Sequence, residues 1–127
     1  MANRIEEVLE LYQQAVLEKD VDLMLSLYCD DVLIYDVAGQ WSLSGKKDLT
    51  DMVTAWFQKI GPDRVEVSYS NLEIQSSETC AFAYFDTTFS KVGFEQFVTD
   101  RFTLGLVNDQ GWKIKHQHVS HPVDISH

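Results

Sequence analysis

Five side chains in this sequence have the means to move a proton or hold an anion: Asp36, Tyr12, Arg101, His116 and His118. Moving a proton beside a carbonyl needs a base and a donor for the oxygen that gains charge. Asp36 ends the apolar run Val32-Leu33-Ile34-Tyr35 and shares an alternate-residue face with Val32 and Ile34, so it reads either as such a base or as a cap on the loop into Ala38-Gly39. Tyr12 falls on the apolar side of a helical pattern, as a core residue or as a hydroxyl aimed into a pocket. Arg101 stands among apolar and threonine positions of a long run. There it needs a carboxylate partner, Asp36 or Glu95, or it clamps the carboxylate or enolate of a ligand. His116 and His118 lie in Trp112–Ser120, where alternation puts Trp112, Ile114, His116, His118 and Ser120 on one face and Lys113, Lys115, Gln117 and Val119 on the other. The first face is expected to be a pocket wall, with its histidines as acid and base, as ligand hydrogen bonds, or satisfied within the fold. The lysine face is expected to meet solvent or another subunit. A metal reading would recruit Asp36 to the two histidines; the remaining histidines, His121 and His127, sit near the end of the chain, and no metal site is expected. No Ser-His-Asp, Cys-His or glycine-rich phosphate signature is present.

The elements that must position these groups are marked by periodicity. Ile5, Val8, Leu9, Tyr12, Ala15 and Val16 predict a helix from about Ala2 to Glu18. Asp20 is placed to cap a second, shorter helix through Tyr28. Val32–Asp36 reads as a strand, followed by a loop to Gly45. Leu49, Met52, Val53, Trp56, Phe57 and Ile60 give the strongest helical pattern, stopped by Gly61-Pro62. Four strands follow, at about Arg64–Gln75, Thr79–Lys91, Glu95–Val107 and Trp112–Val123, with turns at Ser76–Glu78, Val92-Gly93 and Asn108–Gly111. In the third of these, Glu95, Phe97, Thr99, Arg101, Thr103 and Gly105 alternate with Phe94, Gln96, Val98, Asp100, Phe102 and Leu104. Helices first and a meander of long strands after them predict an α+β fold: a cone-shaped, highly curved, mostly antiparallel sheet wrapped around N-terminal helices, with an internal pocket.

Composition narrows the partners. A chain of 127 residues is one domain's worth, and 45% hydrophobic with 24% charged residues describes a globular protein. A net charge of −10 disfavours a phosphate backbone, so no nucleic acid is expected. No run reaches the length of a membrane helix, and the first residues lack an apolar signal core, which predicts a cytoplasmic protein with no membrane partner. Cys29 and Cys80 are expected to be two buried free thiols.

The series Tyr12, Asp20, Asp30-Asp31, Asp36-Val37-Ala38-Gly39 and Ser44-Gly45 resembles the front half of a ketosteroid isomerase. The ending Arg101-Phe102-Thr103, Gly111-Trp112-Lys113-Ile114 and His116–Ser120 resembles the SnoaL-like branch of the nuclear-transport-factor-2-like superfamily, which has the cystatin-like fold. A related ending occurs in the association domain of calcium/calmodulin-dependent kinases. The resemblance implies a small-molecule pocket and, if the chain is catalytic, cofactor-independent isomerase or cyclase chemistry on an enolisable carbonyl compound. Asp36 matches the isomerase's proton-shuttling base and Tyr12 its oxyanion donor. The isomerase's second donor, an aspartate, falls on Thr103. The expected catalytic residues are therefore Asp36, Tyr12 and His118, and the expected ligand contacts Arg101, Thr103, His116 and Trp56, around a small hydrophobic or anionic molecule. The alternative is a non-catalytic ligand-binding or assembly module, which the fold also hosts. Val119, Phe102 and Leu104 are expected to leave an apolar patch on the outer side of the sheet. Members of the superfamily commonly dimerise through that sheet, so a homodimer is expected.

Overall fold

The computed structural model describes residues 2–125. Three helices come first, interrupted by two strands: α1 (Ile5–Glu18), α2 (Val21–Ser26), β1 (Tyr28–Tyr35), β2 (Leu43–Ser44) and α3 (Gly45–Ile60). Four long strands follow: β3 (Val65–Ser76), β4 (Cys80–Lys91), β5 (Phe97–Asn108) and β6 (Trp112–Ser120). The curved, unclosed sheet runs β2-β1-β6-β5-β4-β3, antiparallel everywhere except where β1 lies parallel to β6. The expected α+β architecture is the one observed, with β2 as an unforeseen two-residue edge.

Local chemistry explains the helices. In α1 the apolar positions Ile5, Val8, Leu9, Tyr12, Ala15 and Val16 are all buried, the stripe a surface helix turns to its core. Asp20 caps α2 through a 3.0 Å bond from the Leu23 amide to Oδ1. Helix α3 buries Leu49, Val53 and Phe57 and ends at Gly61, whose amide makes the last helical bond to the Phe57 carbonyl and whose positive φ of 62° turns the chain out of the helix. Side chains then pin the helices to the sheet. Gln13 donates to the Val67 carbonyl at 2.8 Å, and Tyr69 on β3 donates to the Leu9 carbonyl at 2.8 Å. Lys46 donates to the Leu25 carbonyl, holding α3 to α2. No helix among the described residues is long and apolar enough to cross a membrane.

Strand pairing is irregular at three places, between Tyr28 and Leu33 of β1, between Ser70 and Glu73 of β3, and in β6 opposite Gly105 and Leu106. In β6, Leu106 pairs with Ile114 and the adjacent Gly105 with His116, so Lys115 is an extra residue without a β5 partner. Before this bulge Trp112 and Ile114 point inward; after it Gln117 and Val119 do, and His116 and His118 turn outward. On β5 the inward residues are Asp100, Phe102, Leu104 and Leu106, so Arg101 and Thr103 lie on the outer face. Val119, Phe102 and Leu104, expected on an outer patch, are core residues. The thiols are free, but Cys29 is half-buried and Cys80 exposed rather than both buried.

Candidate functional site

The concave side of the sheet and the facing sides of α1 and α3 enclose a cavity of about 1010 Å³. Its walls are apolar and aromatic, from Tyr12 on α1, Met52 and Trp56 on α3, Val65 at the start of β3, Phe89 on β4, Phe102 on β5 and Val119 on β6. Trp56 meets Phe89 edge-on at 5.8 Å between ring centres, which fixes one wall. Phe97 and Val98 also line it and are exposed, and Lys59, Lys91 and Glu95 supply charge. Lys91 is held by Asp63 at 3.1 Å. An apolar cavity with a few convergent polar groups is the usual form of a small-molecule site.

The polar groups are Asp36, Asp100, Tyr12 and Gln117. Asp36 stands where β1 gives way to the loop, half-buried, its Oδ1 accepting the Val37 amide at 2.8 Å. The two readings of this residue are thus compatible: it caps the loop and lines the cavity. Asp100 is buried, and its Oδ1 lies 3.1 Å from His121 Nδ1. Gln117 Oε1 accepts a 2.6 Å bond from the buried Tyr28 hydroxyl. The Tyr12 hydroxyl has no hydrogen-bond partner among the described residues. Burial raises the Tyr12 pKa well above the ordinary tyrosine value, with smaller contributions from Tyr28, Tyr69 and the carboxylates of Asp36 and Asp100. Tyr12 therefore remains a protonated donor across the physiological range, within electrostatic reach of both acids.

Burial likewise raises Tyr28, against a lowering by Gln117, and Tyr69. All three folded phenols hold their protons more tightly than the unfolded chain does. Their stabilising contribution is fully present below about pH 10 and is lost as pH rises beyond it, because only the unfolded chain then ionises freely. Absorbance at the phenolate band, followed with far-UV circular dichroism, should show these tyrosines ionising together with loss of structure. Smooth ionisation of all five at unchanged dichroism would contradict their burial.

The expected site residues divide into two groups. Asp36, Tyr12 and Trp56 line the cavity. Arg101, Thr103, His116 and His118 do not join them, because the Lys115 bulge and the phase of β5 turn them to the outer face. There Tyr35, His118, Thr103 and Tyr84 form one cross-strand row. Arg101 donates to Ser120 Oγ at 3.1 Å rather than pairing with Asp36 or Glu95. His116 Nδ1 donates to the Leu33 carbonyl at 2.7 Å, and the Tyr35 ring packs edge-on against both histidines. Lys115 pairs with Asp31 on β1, which lowers the Asp31 pKa and raises that of Lys115. His127 lies outside the described residues. Among the described residues no three His, Cys, Asp or Glu side chains are grouped to hold a metal ion.

The residues that sequence reasoning passed over are Asp100, Gln117 and His121. Asp100 had a visible signal: a carboxylate amid Val98, Phe102 and Leu104 on one strand face. Thr103, where the resemblance places the isomerase's second donor, lies on the outer face, and Asp100, three residues earlier, lies on the inward one.

A model of the SnoaL-like domain matches residues 5–124. No curated protein matches the chain. Among solved structures, an NTF2-like protein of unknown function from Pseudomonas putida KT2440 is 23% identical, with 95% of this chain and 86% of that one covered and a TM-score of 0.87. A protein described provisionally as a scytalone dehydratase, from Novosphingobium aromaticivorans, is 17% identical over 94% of this chain and 87% of its own, with a TM-score of 0.75. A provisionally described calcium/calmodulin-dependent protein kinase II association domain from Xanthomonas campestris is 13% identical over 95% and 87%, with a TM-score of 0.79. At these identities the structural likeness establishes the fold, and the family model, covering nearly the whole chain, establishes the lineage: the chain belongs to the SnoaL-like domain family.

Proposed function

We propose that this chain binds a ring-bearing carbonyl compound in its cavity and moves a proton at the carbon beside the carbonyl. The observation that carries the reading is the meeting of Tyr12, Asp36 and Asp100 in one apolar, aromatic-walled cavity. Asp36 takes the proton. Tyr12, held as a neutral donor, hydrogen-bonds the oxygen that gains charge, in surroundings where such a bond is worth more than in water. Asp100 is the second acid, and Trp56 and Phe89, set edge to face, form an aromatic corner for the ring. In this reading Arg101, Thr103, His116 and His118 have no contact with the substrate, and the chemistry takes place without a cofactor. The test is α-proton exchange of a bicyclic ketone, α-tetralone, in D2O, followed by NMR. Exchange faster than in matched buffer supports the reading; neither exchange nor saturable binding across a panel of enolisable ketones sinks it.

The second reading, a binding or assembly module, is favoured by a different observation. The outer face of the sheet exposes Phe82 and Tyr84, 47% and 49% accessible and stacked at 6.4 Å, beside Tyr35, His116 and His118. Such a patch on one molecule usually marks a contact. We infer a homodimer that buries this face, in a cytoplasmic protein whose free thiols suit a reducing compartment. Light scattering at micromolar concentration should give twice 14.6 kDa, and Tyr84→Lys should return it to the single-chain mass. A wild-type mass of one chain rejects the dimer. The two readings are compatible, since the cavity opens on the opposite side of the sheet.

A further inference from the structure

We propose that His121 is a proton relay between solvent and Asp100, a role that rests on the cavity being a proton-transfer site. The two residues come from different elements: Asp100 from the inward face of β5, His121 from the segment just past β6. The Asp100 side chain is 11% exposed and lines the cavity, whereas the His121 side chain is 58% exposed. One end of the pair is therefore in the cavity and the other in water.

The hydrogen bonding fixes how the ring is used. His121 Nδ1 lies 3.1 Å from the Thr99 carbonyl and 3.1 Å from Asp100 Oδ1. A carbonyl only accepts, so the geometry calls for a hydrogen on Nδ1, shared between the two oxygens. Nε2 is then the nitrogen left to exchange protons with solvent. The second Asp100 oxygen has no protein partner among the described residues and is the one free to meet a ligand. Thr87, directly across from Asp100 on β4, is fully buried, and its hydroxyl has no partner among the described residues. A polar group orphaned beside the acid fits a carboxyl that changes its hydrogen-bonding state during turnover.

The proton movements balance. Water donates a proton to Nε2, the Nδ1 proton passes to Asp100 Oδ1, and the ring is left neutral with its hydrogen on Nε2. Asp100, now a carboxylic acid, turns about its Cβ–Cγ bond to bring the O–H into the cavity and gives that proton to the substrate oxygen as Asp36 removes the α-proton. When the enol collapses, Asp100 takes the oxygen's proton back and the path runs in reverse. The other ionisable groups of the cavity wall are Tyr12 on α1, Asp36 after β1, Lys59 on α3, Lys91 on β4 and Glu95 before β5. None of them hydrogen-bonds Asp100. His121 is its one proton-carrying partner among the described residues.

Two variants separate relay from support. His121→Ala should slow α-tetralone exchange about tenfold or more, and added imidazole should restore the rate in proportion to its concentration. His121→Gln keeps an N–H donor toward Asp100 but cannot pass a proton, so it should remain as slow as the alanine variant. A glutamine variant at the wild-type rate, an alanine variant with no loss, or no rescue by imidazole overturns the relay. A readout without turnover stands beside these. Nitrogen NMR of wild-type His121, in its neutral form, should show the hydrogen on Nδ1, and the Nδ1–H signal should shift in Asp100→Leu, which leaves the Thr99 carbonyl as its one acceptor. A ring with its hydrogen on Nε2 in the wild type overturns the relay. If wild-type protein exchanges no ketone while the ring shows Nδ1–H and the shift on Asp100→Leu, it is the proton-transfer function that has failed, and the connection from solvent to Asp100 stands.

Discussion

Replacing Asp36 by asparagine is expected to slow α-proton exchange on the order of a hundredfold or more, the scale of a general-base contribution. The substitution is nearly isosteric. Asp36 Oδ1 accepts the Val37 amide at 2.8 Å, and the asparagine carbonyl can accept the same bond, so the loop after β1 should hold its course. What is lost is the group that can take a proton. Ligand affinity should change little, because the apolar walls around Trp56, Phe89 and Phe102 are untouched. The measurement is the exchange rate together with a binding isotherm for the same ketone. A fall in rate with unchanged binding assigns the base. An asparagine variant at the wild-type rate would move the base elsewhere, with Asp100 the first candidate, since His118 lies outside the cavity. A fall in affinity equal to the fall in rate would give Asp36 a role in binding alone.

Why Asp36 and Tyr12 could be located from sequence, and the histidines not, has a physical reason. Helix α1 keeps its period throughout and β1 keeps it from Val32 onward, past an irregularity between Tyr28 and Leu33, so the apolar stripe of Val8, Leu9 and Val16 carries Tyr12 inward, and Ile34 aims Asp36 the same way. The six-residue apolar spacing of α3 did the same for Trp56. In β6 one extra residue is absorbed at Lys115, and every side chain beyond it changes face relative to strict alternation. Nothing in Ile114-Lys115-His116 marks the bulge: there is no glycine, and each residue is ordinary for a strand. Its cause lies in the partners, with β1 parallel on one side, tied through Asp31 to Lys115, and β5 antiparallel on the other. The sequence contains the bulge only through contacts that are distant along the chain. The alternation on β5 presented both phases, and the one chosen followed Arg101 and Thr103. Asp100, Phe102, Leu104 and Leu106 share the opposite phase, and burial of three large apolar residues outweighs placement of an arginine. The fold class, element order and most boundaries were legible because they depend on period and turn residues; which residues line the cavity depended on a single-residue slip in β6 and on the phase of β5.

Phe102 is where fold and site are coupled most tightly, and Phe102→Ala should have the largest effect on stability. The ring is 5% exposed. It packs against Phe85 at 5.6 Å, Phe89 at 6.2 Å and edge-on against Tyr12 at 6.3 Å. It also lines both the main cavity and a smaller void beneath it, bounded by Val8, Leu9, Tyr69 and Leu104. Truncation removes the partition between the two spaces, and the three rings packed on it are anchored in α1 and β4, which leaves little freedom for collapse into the gap. Phenylalanine-to-alanine changes at such sites cost about 3–5 kcal/mol. Against a typical total of roughly 5–15 kcal/mol, that is a drop in melting temperature of about 10–20 °C for a chain of this size. Tyr12 would lose its edge contact and with it part of what fixes its ring in the cavity wall, so exchange should fall even at temperatures where the variant is folded. Phe102→Leu refills much of the volume and should recover more than half of the lost stability. A thermal scan by circular dichroism decides it: a loss of only a few degrees in the alanine variant would mean that the ring is not the partition described here.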